Sequence, residues 1–114
     1  MPNHDPLVRL LHMRDYARQA LEMVSGKTRE DLDRDEMLRL ALTRLMELVG
    51  EAAARYPREL QAHYPQIPWP KLISMRNKLI HAYDFVDYDI VWSAITKNIP
   101  QLLSELDKII PEGR

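Results

Sequence analysis

Apolar residues recur at intervals of three and four positions along most of the chain, and this spacing constrains the fold more than any other feature. It gives each successive stretch one apolar side at the period of an α-helix. Neither strand-like alternation nor an internal repeat occurs. The pattern predicts an all-α fold, an antiparallel bundle of four to five helices in a single domain over residues 1–114. Its clearest example, in the stretch 36–55, consists of Leu38, Ala41, Leu42, Leu45, Leu48, Val49 and Ala52.

The two helices predicted in the first half have recognisable ends. Asp5 followed by Pro6 is typical of a helix start, and Gly26 is typical of a helix end. A second long helix is predicted over 36–55, capped by one of the two aspartates just before it. Gly50 lies inside that helix, where glycine costs about 1 kcal/mol relative to alanine. Its presence indicates that a neighbouring helix packs closely there.

A proline-rich connector leads into the second half of the chain. Its four prolines lie within 57–70 and predict irregular backbone with one short helical piece. A third main helix is predicted over about 70–82, and Asp87 caps a fourth helix that begins directly after it. Pro100 is expected to kink or restart this fourth helix, with Asn98 as the new cap.

Composition excludes several classes of site. The chain has 114 residues and no cysteine, so it has no disulfide, no thiolate metal site and no cysteine nucleophile. It contains no apolar run of about 18 residues, and its first residues lack the pattern of a secretory signal. We therefore expect a cytoplasmic protein without a membrane partner. The net charge of −1 does not by itself predict a nucleic-acid partner.

The stretch SMRNKLIHAYDF, residues 74–85, concentrates polar side chains on a predicted helix, in a region without Asp or Glu from 60 to 83. Arg76 and His81 lie about 140° apart around the helix and about 7.5 Å apart along its axis. One helix therefore does not direct both at one small target. A site that uses both needs the long reach of arginine or a second copy of the helix across a two-fold axis.

Three segments, MRNKLIHAYDFVD, VGEAA and DIVW, resemble the HepT-like branch of the HEPN superfamily. That branch is marked by an arginine, four residues, a histidine, one residue and a tyrosine. Arg76, His81 and Tyr83 fit this spacing, and Asn77 fits the polar residue that commonly follows the arginine. The resemblance covers nearly the whole chain and includes, in family order, Gly50, Glu51, Trp69 and Trp92.

The resemblance implies a metal-independent endoribonuclease that is dimeric, with its cleft at the dimer interface, and that is the toxin of a type VII-like toxin–antitoxin pair. Metal-free RNA cleavage uses the 2′-hydroxyl as nucleophile and needs a base that titrates near neutral pH, which suits histidine. A planar guanidinium stabilises the extra negative charge on phosphorus. This gives His81 as general acid/base, Arg76 as phosphate clamp and Asn77 as supporting group.

Tyr83 has a separate role in the family. There, a nucleotidyltransferase antitoxin of the MntA type adenylylates the tyrosine of the motif and silences the toxin. The added phosphate and bulk, two residues from His81, would repel and exclude substrate. By this resemblance the chain has an RNA substrate, a second copy of itself and a cognate nucleotidyltransferase as partners.

Other interpretations of these residues are less specific. Arginine and lysine on a helix are usually solvated, and Lys78 is expected to be surface rather than a substrate contact. Glu47 and Glu51 suit a metal pair poorly because further ligands are missing, so we expect no metal and no cofactor. We expect Glu51 to pair with a basic residue of the third main helix, with Arg76 as a candidate, and to hold it in place. The alternative function is a non-catalytic module that binds a nucleotide or the nucleotidyltransferase.

Overall fold

The computed structural model describes residues 5–82 and 85–114. These two ranges contain helices and no strand, which confirms the predicted all-α fold. No described helix combines the length and the apolar character needed to cross a membrane. In chain order the helices are α1 (Pro6–Val24), α2 (Asp31–Arg34), α3 (Glu36–Arg55), α4 (Arg58–Gln61), α5 (Trp69–His81), α6 (Tyr88–Ser93) and α7 (Ile99–Ile109), with a π-helical turn at Ala94–Asn98.

Helix α3 lies at the centre of the bundle, between α1 and α5. Just beyond the end of α3, the ring of Tyr56 stacks on Trp69 at the start of α5, with ring centroids 5.0 Å apart. Near the start of α3, the Arg39 guanidinium lies 5.7 Å from the centre of the Tyr88 ring, which follows α5 in the chain. Helices α3 and α5 therefore run antiparallel. The largest fully buried core side chains include Met13, Leu32, Leu42, Ile67, Ile95, Ile99 and Leu106.

The predicted helix starts agree with the structure. Asp5, Asp35 and Asp87 each accept a hydrogen bond from a backbone N–H in the first turn of α1, α3 and α6, at 2.9, 3.0 and 3.0 Å. After α1, Gly26 takes a positive φ of 75°, a conformation that side chains other than glycine rarely adopt. The caps therefore set these helix boundaries.

The expected cap at Asn98 is wrong. Its backbone is helical, and its side chain makes no capping hydrogen bond. Instead, the π turn carries the helix through to Pro100, with the N–H of Ile99 bonded to the carbonyl oxygen of Ala94. Helical backbone is therefore continuous from α6 through the π turn into α7, and the wider turn lies directly before the proline.

Candidate active site

The contact between α3 and α5 is unusually close at Gly50. A Cβ atom at this position would lie 2.6 Å from the backbone carbonyl oxygen of Leu72. Real Cβ atoms do not approach a carbonyl so closely, so only glycine fits without a shift of one helix. The prediction that Gly50 marks close helix packing is confirmed.

Arg76 lies beside this contact and binds the residue that follows Gly50. Its Nε and Nη2 atoms donate to one carboxylate oxygen of Glu51, at 2.9 and 2.6 Å. Its Nη1 atom donates to Oδ1 of Asn77 at 2.6 Å. The ion pair between Glu51 and Arg76 that the sequence predicted is therefore present. About a quarter of the Arg76 side chain is exposed, so the guanidinium is fixed in orientation yet reachable from solvent.

Sequence reasoning missed the second arginine of this cluster. Arg55, at the end of α3, donates from Nε to the other carboxylate oxygen of Glu51 at 2.8 Å. Hydrogen bonds from Arg76 and then from Arg55 lower the pKa of Glu51, so its carboxylate is ionised at neutral pH. The available signal was the four-residue spacing of Glu51 and Arg55, which places both on one side of a helix.

His81 is the last residue of α5 and is exposed. It lies outside the cluster formed by Glu51, Arg76 and Asn77, and in the two described ranges no side chain is hydrogen-bonded to its imidazole. Within one chain the structure thus brings three of the predicted site residues together and leaves His81 apart. Tyr83, the predicted modification site, lies outside the described residues.

Two carboxylates, Glu51 in the cluster and Glu47 one helical turn before it, are already engaged by arginines. Glu47 binds Nη1 of Arg44 at 3.1 Å, while Glu51 binds both Arg55 and Arg76. Across residues 5–82 and 85–114, no three His, Asp or Glu side chains are grouped closely enough to hold a metal ion. The arrangement of Glu51 is that of an arginine-binding group.

Comparison with known proteins identifies the family. The family model described as ribonuclease HepT-like matches residues 13–109, which include every candidate residue of the cluster, and His81 and Tyr83. The chain belongs to the HepT-like ribonuclease family. No solved structure gives a significant match to this HepT-like chain.

Relatives of this HepT-like chain come from bacteria and archaea. A protein of Caldanaerobacter subterraneus, provisionally named an RNase, is 35% identical over 92% of this chain and 94% of the relative. A provisionally named RNase of Methanocaldococcus jannaschii is 32% identical over 98% of this chain and 93% of the relative. A probable ribonuclease HepT of Thermococcus cleftensis is 34% identical over 86% of this chain and 92% of the relative. Each similarity extends over most of both chains.

Proposed function

We propose that this HepT-like chain is a metal-independent endoribonuclease that cleaves RNA by attack of a 2′-hydroxyl on the adjacent phosphorus. The observation that carries the proposal is the Arg76 guanidinium, held in one orientation by Glu51 and Asn77 and still partly exposed. It is followed five residues later by His81, an exposed group suited to proton transfer.

Arg76 acts on the phosphate. A guanidinium has five N–H donors in a fixed plane, and in the described residues three of them are directed at Glu51 and Asn77. The remaining donors can bind non-bridging phosphate oxygens. Because Glu51 fixes the plane beforehand, little reorganisation is needed as negative charge builds up on the five-coordinate phosphorus.

His81 moves the protons. Its neutral imidazole accepts the proton of the 2′-hydroxyl as the bond from that oxygen to phosphorus forms. The imidazolium then protonates the 5′-oxygen as its bond to phosphorus breaks. The products are a 2′,3′-cyclic phosphate and a 5′-hydroxyl, and the enzyme returns to its starting protonation state.

The complete site belongs to a homodimer in this proposal. Arg76 and His81 lie on different sides of α5, and a second copy of α5 across a two-fold axis would place a guanidinium and an imidazole on one phosphate without relying on the reach of one arginine. Two large apolar side chains support this arrangement. Ile80, four residues after Arg76, is 45% exposed. Leu40 is 61% exposed and lies on the same side of α3 as Glu51, about 16.5 Å away along the helix. Apolar side chains exposed on the same side of a helix as a polar site are typical of a surface that another chain covers.

Metal independence is supported by the engaged carboxylates. Glu47 and Glu51 face arginines at 3.1 Å or less, and a bound cation would have to compete with those arginines for the same oxygens. The chemistry assigned to Arg76 and His81 supplies both charge stabilisation and proton transfer without a further group.

The biological setting follows from the family resemblance. We assign the chain as the toxin of a toxin–antitoxin pair whose antitoxin, a nucleotidyltransferase, adenylylates Tyr83. The chemistry supports this setting, because an attached AMP would place a negative phosphate two residues from His81. Substrate phosphate would then be repelled from the site that needs it.

The decisive experiment replaces His81 with alanine. We expect His81→Ala to abolish cleavage of single-stranded RNA and to relieve growth arrest, since the proton-transfer group is lost. The side chain is exposed, so helix content and oligomeric mass should equal those of the parent. His63→Ala, at another exposed histidine, is the matched control and should cleave normally. Cleavage at the parental rate by purified His81→Ala would refute the catalytic role.

A further inference from the structure

A groove of about 580 Å³ opens between α5 on one side and α6, the π turn and α7 on the other. Apolar side chains from both sides form most of its lining, among them Leu72, Leu79 and Ile90. Neither Arg76 nor Glu51 is among the described residues that line it. The groove is therefore distinct from the ion-paired cluster, although both are built on α5.

The α5 side of the groove is positively charged. Lys71 and Lys78 line it seven residues apart, or about 10.5 Å along the helix, with Ser74 between them. Among the described residues, neither lysine has a carboxylate within ion-pair distance. Across the groove, Asp87 also lines it, but its carboxylate accepts the N–H of Asp89 at 3.0 Å as the cap of α6. Anions are therefore attracted to the rim formed by α5.

An aromatic side chain lies at the mouth of the groove. Phe85 lines the groove and is 68% exposed, which is unusual for a phenylalanine. The wall beside it is fixed, because Arg29 binds Asp89 of α6 at 2.6 Å and Asp33 of α2 at 3.0 Å. An exposed ring next to two lysines that have no carboxylate partner within residues 5–82 and 85–114 is the combination that single-stranded nucleic acid uses, with bases on the ring and phosphates on the cations.

We propose that this groove is a nucleobase subsite for the RNA strand that is cut at Arg76 and His81. One base next to the cleaved phosphate enters the groove and stacks on Phe85, while Lys71 and Lys78 bind phosphates along its rim. The inference rests on the proposed ribonuclease function. Its location supports it, since Lys78 lies only three residues, about 4.5 Å along α5, before His81.

RNA fits this groove better than an apolar protein helix does. Both occupants would bury the apolar walls, but only a polyanion uses two lysines that have no carboxylate partner in the described ranges. The groove also offers two exposed polar side chains, Ser74 and Asn98, that can contact a base edge. An all-apolar occupant that covered them would leave both groups unsatisfied.

The first test measures RNA binding without cleavage, in the His81→Ala background. The probe is a short fluorescein-labelled single-stranded RNA, followed by fluorescence anisotropy. Adding Phe85→Ala should weaken binding about tenfold, the usual effect of losing one stacked base. Phe85→Leu, which keeps apolar contact but removes the ring, should also weaken it. Met23→Ala, at a partly exposed apolar residue of α1, is the control and should bind as the background protein does.

The second test measures the salt dependence of the same binding. Each phosphate contact to single-stranded nucleic acid contributes about 0.7 to the slope of log affinity against log salt concentration. The pair of changes Lys71→Ala and Lys78→Ala should therefore reduce the slope by about 1.4. Lys108→Ala, at a lysine of α7 that binds Glu105, should leave the slope unchanged.

The results separate the subsite from the nuclease function. Parental affinity in Phe85→Ala, with an unchanged salt slope in the lysine variants, would overturn the subsite while the effect of His81→Ala on cleavage still stands. If Phe85→Ala instead reduces the sedimentation mass and leaves RNA affinity intact, the groove is covered by protein and the proposal is also wrong. Failure of the parent protein to bind or cut any RNA would overturn both proposals.

Discussion

A methyl group added to Gly50 would lie 2.3 Å from the Cβ atom of Arg76. The arginine assigned to the phosphate thus leaves α5 at the point where α3 allows no space for a side chain. The direction of the Arg76 side chain is therefore set by the packing of α3 against α5 as well as by its hydrogen bonds to Glu51. Gly50 therefore determines both how closely α3 and α5 pack and where the Arg76 side chain is placed.

Gly50→Ala should separate these helices and misplace the guanidinium. Overpacking costs about 1–3 kcal/mol, offset by about 1 kcal/mol from the better helix propensity of alanine. We expect a lower melting temperature by circular dichroism together with much slower RNA cleavage. Gly26→Ala is the matched control, because its φ of 75° disfavours alanine but nothing lies within 4 Å of the added methyl group. That variant should lose stability and keep its cleavage rate, whereas parental behaviour of Gly50→Ala on both measures would contradict this prediction.

Glu51→Gln should lower stability in a manner that depends on pH. At neutral pH the ionised carboxylate stabilises the fold through Arg76 and Arg55, by about 0.5–1 kcal/mol for partly exposed pairs. The pKa of Glu51 is lower in the folded protein than its usual value of 4.5, so this stabilisation is present above that pH. It is lost as the pH falls through the lowered folded-state pKa.

The measurement is the melting temperature of the parent and of Glu51→Gln at several pH values. Their difference should be largest near neutrality and shrink in acid, where the protonated carboxyl resembles the amide. Glu22→Gln, at an exposed glutamate of α1 outside the described ion pairs, serves as the control and should melt like the parent throughout. A difference that grows on acidification would have the wrong sign for this contact.

A shared site predicts complementation between two inactive variants. Arg76→Ala and His81→Ala should each be inactive alone, the first because the five-coordinate phosphate is left uncompensated. When the two purified proteins exchange subunits, a mixed dimer keeps one intact guanidinium and one intact imidazole. Recovery of part of the parental cleavage rate is expected if these two groups act on one phosphate. If mass spectrometry shows mixed dimers but mixing restores no cleavage, the guanidinium and the imidazole of each site belong to the same chain.

Coexpression with a nucleotidyltransferase of the proposed antitoxin type should add one AMP unit, or several, to the mass of the chain. The physical effect is added negative charge close to His81, and modified protein should no longer cut RNA. Intact-mass measurement followed by peptide mapping locates the group, and Tyr83→Phe should remain unshifted. Tyr88→Phe, at the first residue of α6, is the control and should still be modified. If the mass does not increase, the better explanation is that the antitoxin inhibits the ribonuclease by covering its site without modifying it.

Local sequence signals predicted much of the fold and part of the site. Capping aspartates gave the starts of α1, α3 and α6, because a cap is a contact between neighbours in the chain. Gly50 predicted a close contact with another helix, because a mid-helix glycine otherwise costs stability, and Glu51 predicted a basic partner on α5. Each of these features involves residues within one helical turn or within one pair of helices, so it can be recognised from the sequence.

Features built from distant segments were not predicted. The groove brings Leu72, Phe85 and Ile99 to one surface because α5 packs on α3 while α7 packs on α1. No local sequence pattern encodes how far apart these two walls lie. The π turn was missed because Pro100 suggested a break, whereas the helix continues through Pro100 after one wider turn. Lys78 was expected to be a solvated surface residue. Its proposed role as a phosphate contact depends on the groove that it lines, which the sequence did not predict.

The two arginines around Glu51 have a consequence for the resting protein. Two permanent cations share a single anion there, so the cluster is one negative charge short of neutrality. In the proposed reaction, a phosphodiester of RNA supplies that missing charge without displacing either existing pair. By this proposal, substrate completes an electrostatic balance that the polypeptide leaves open.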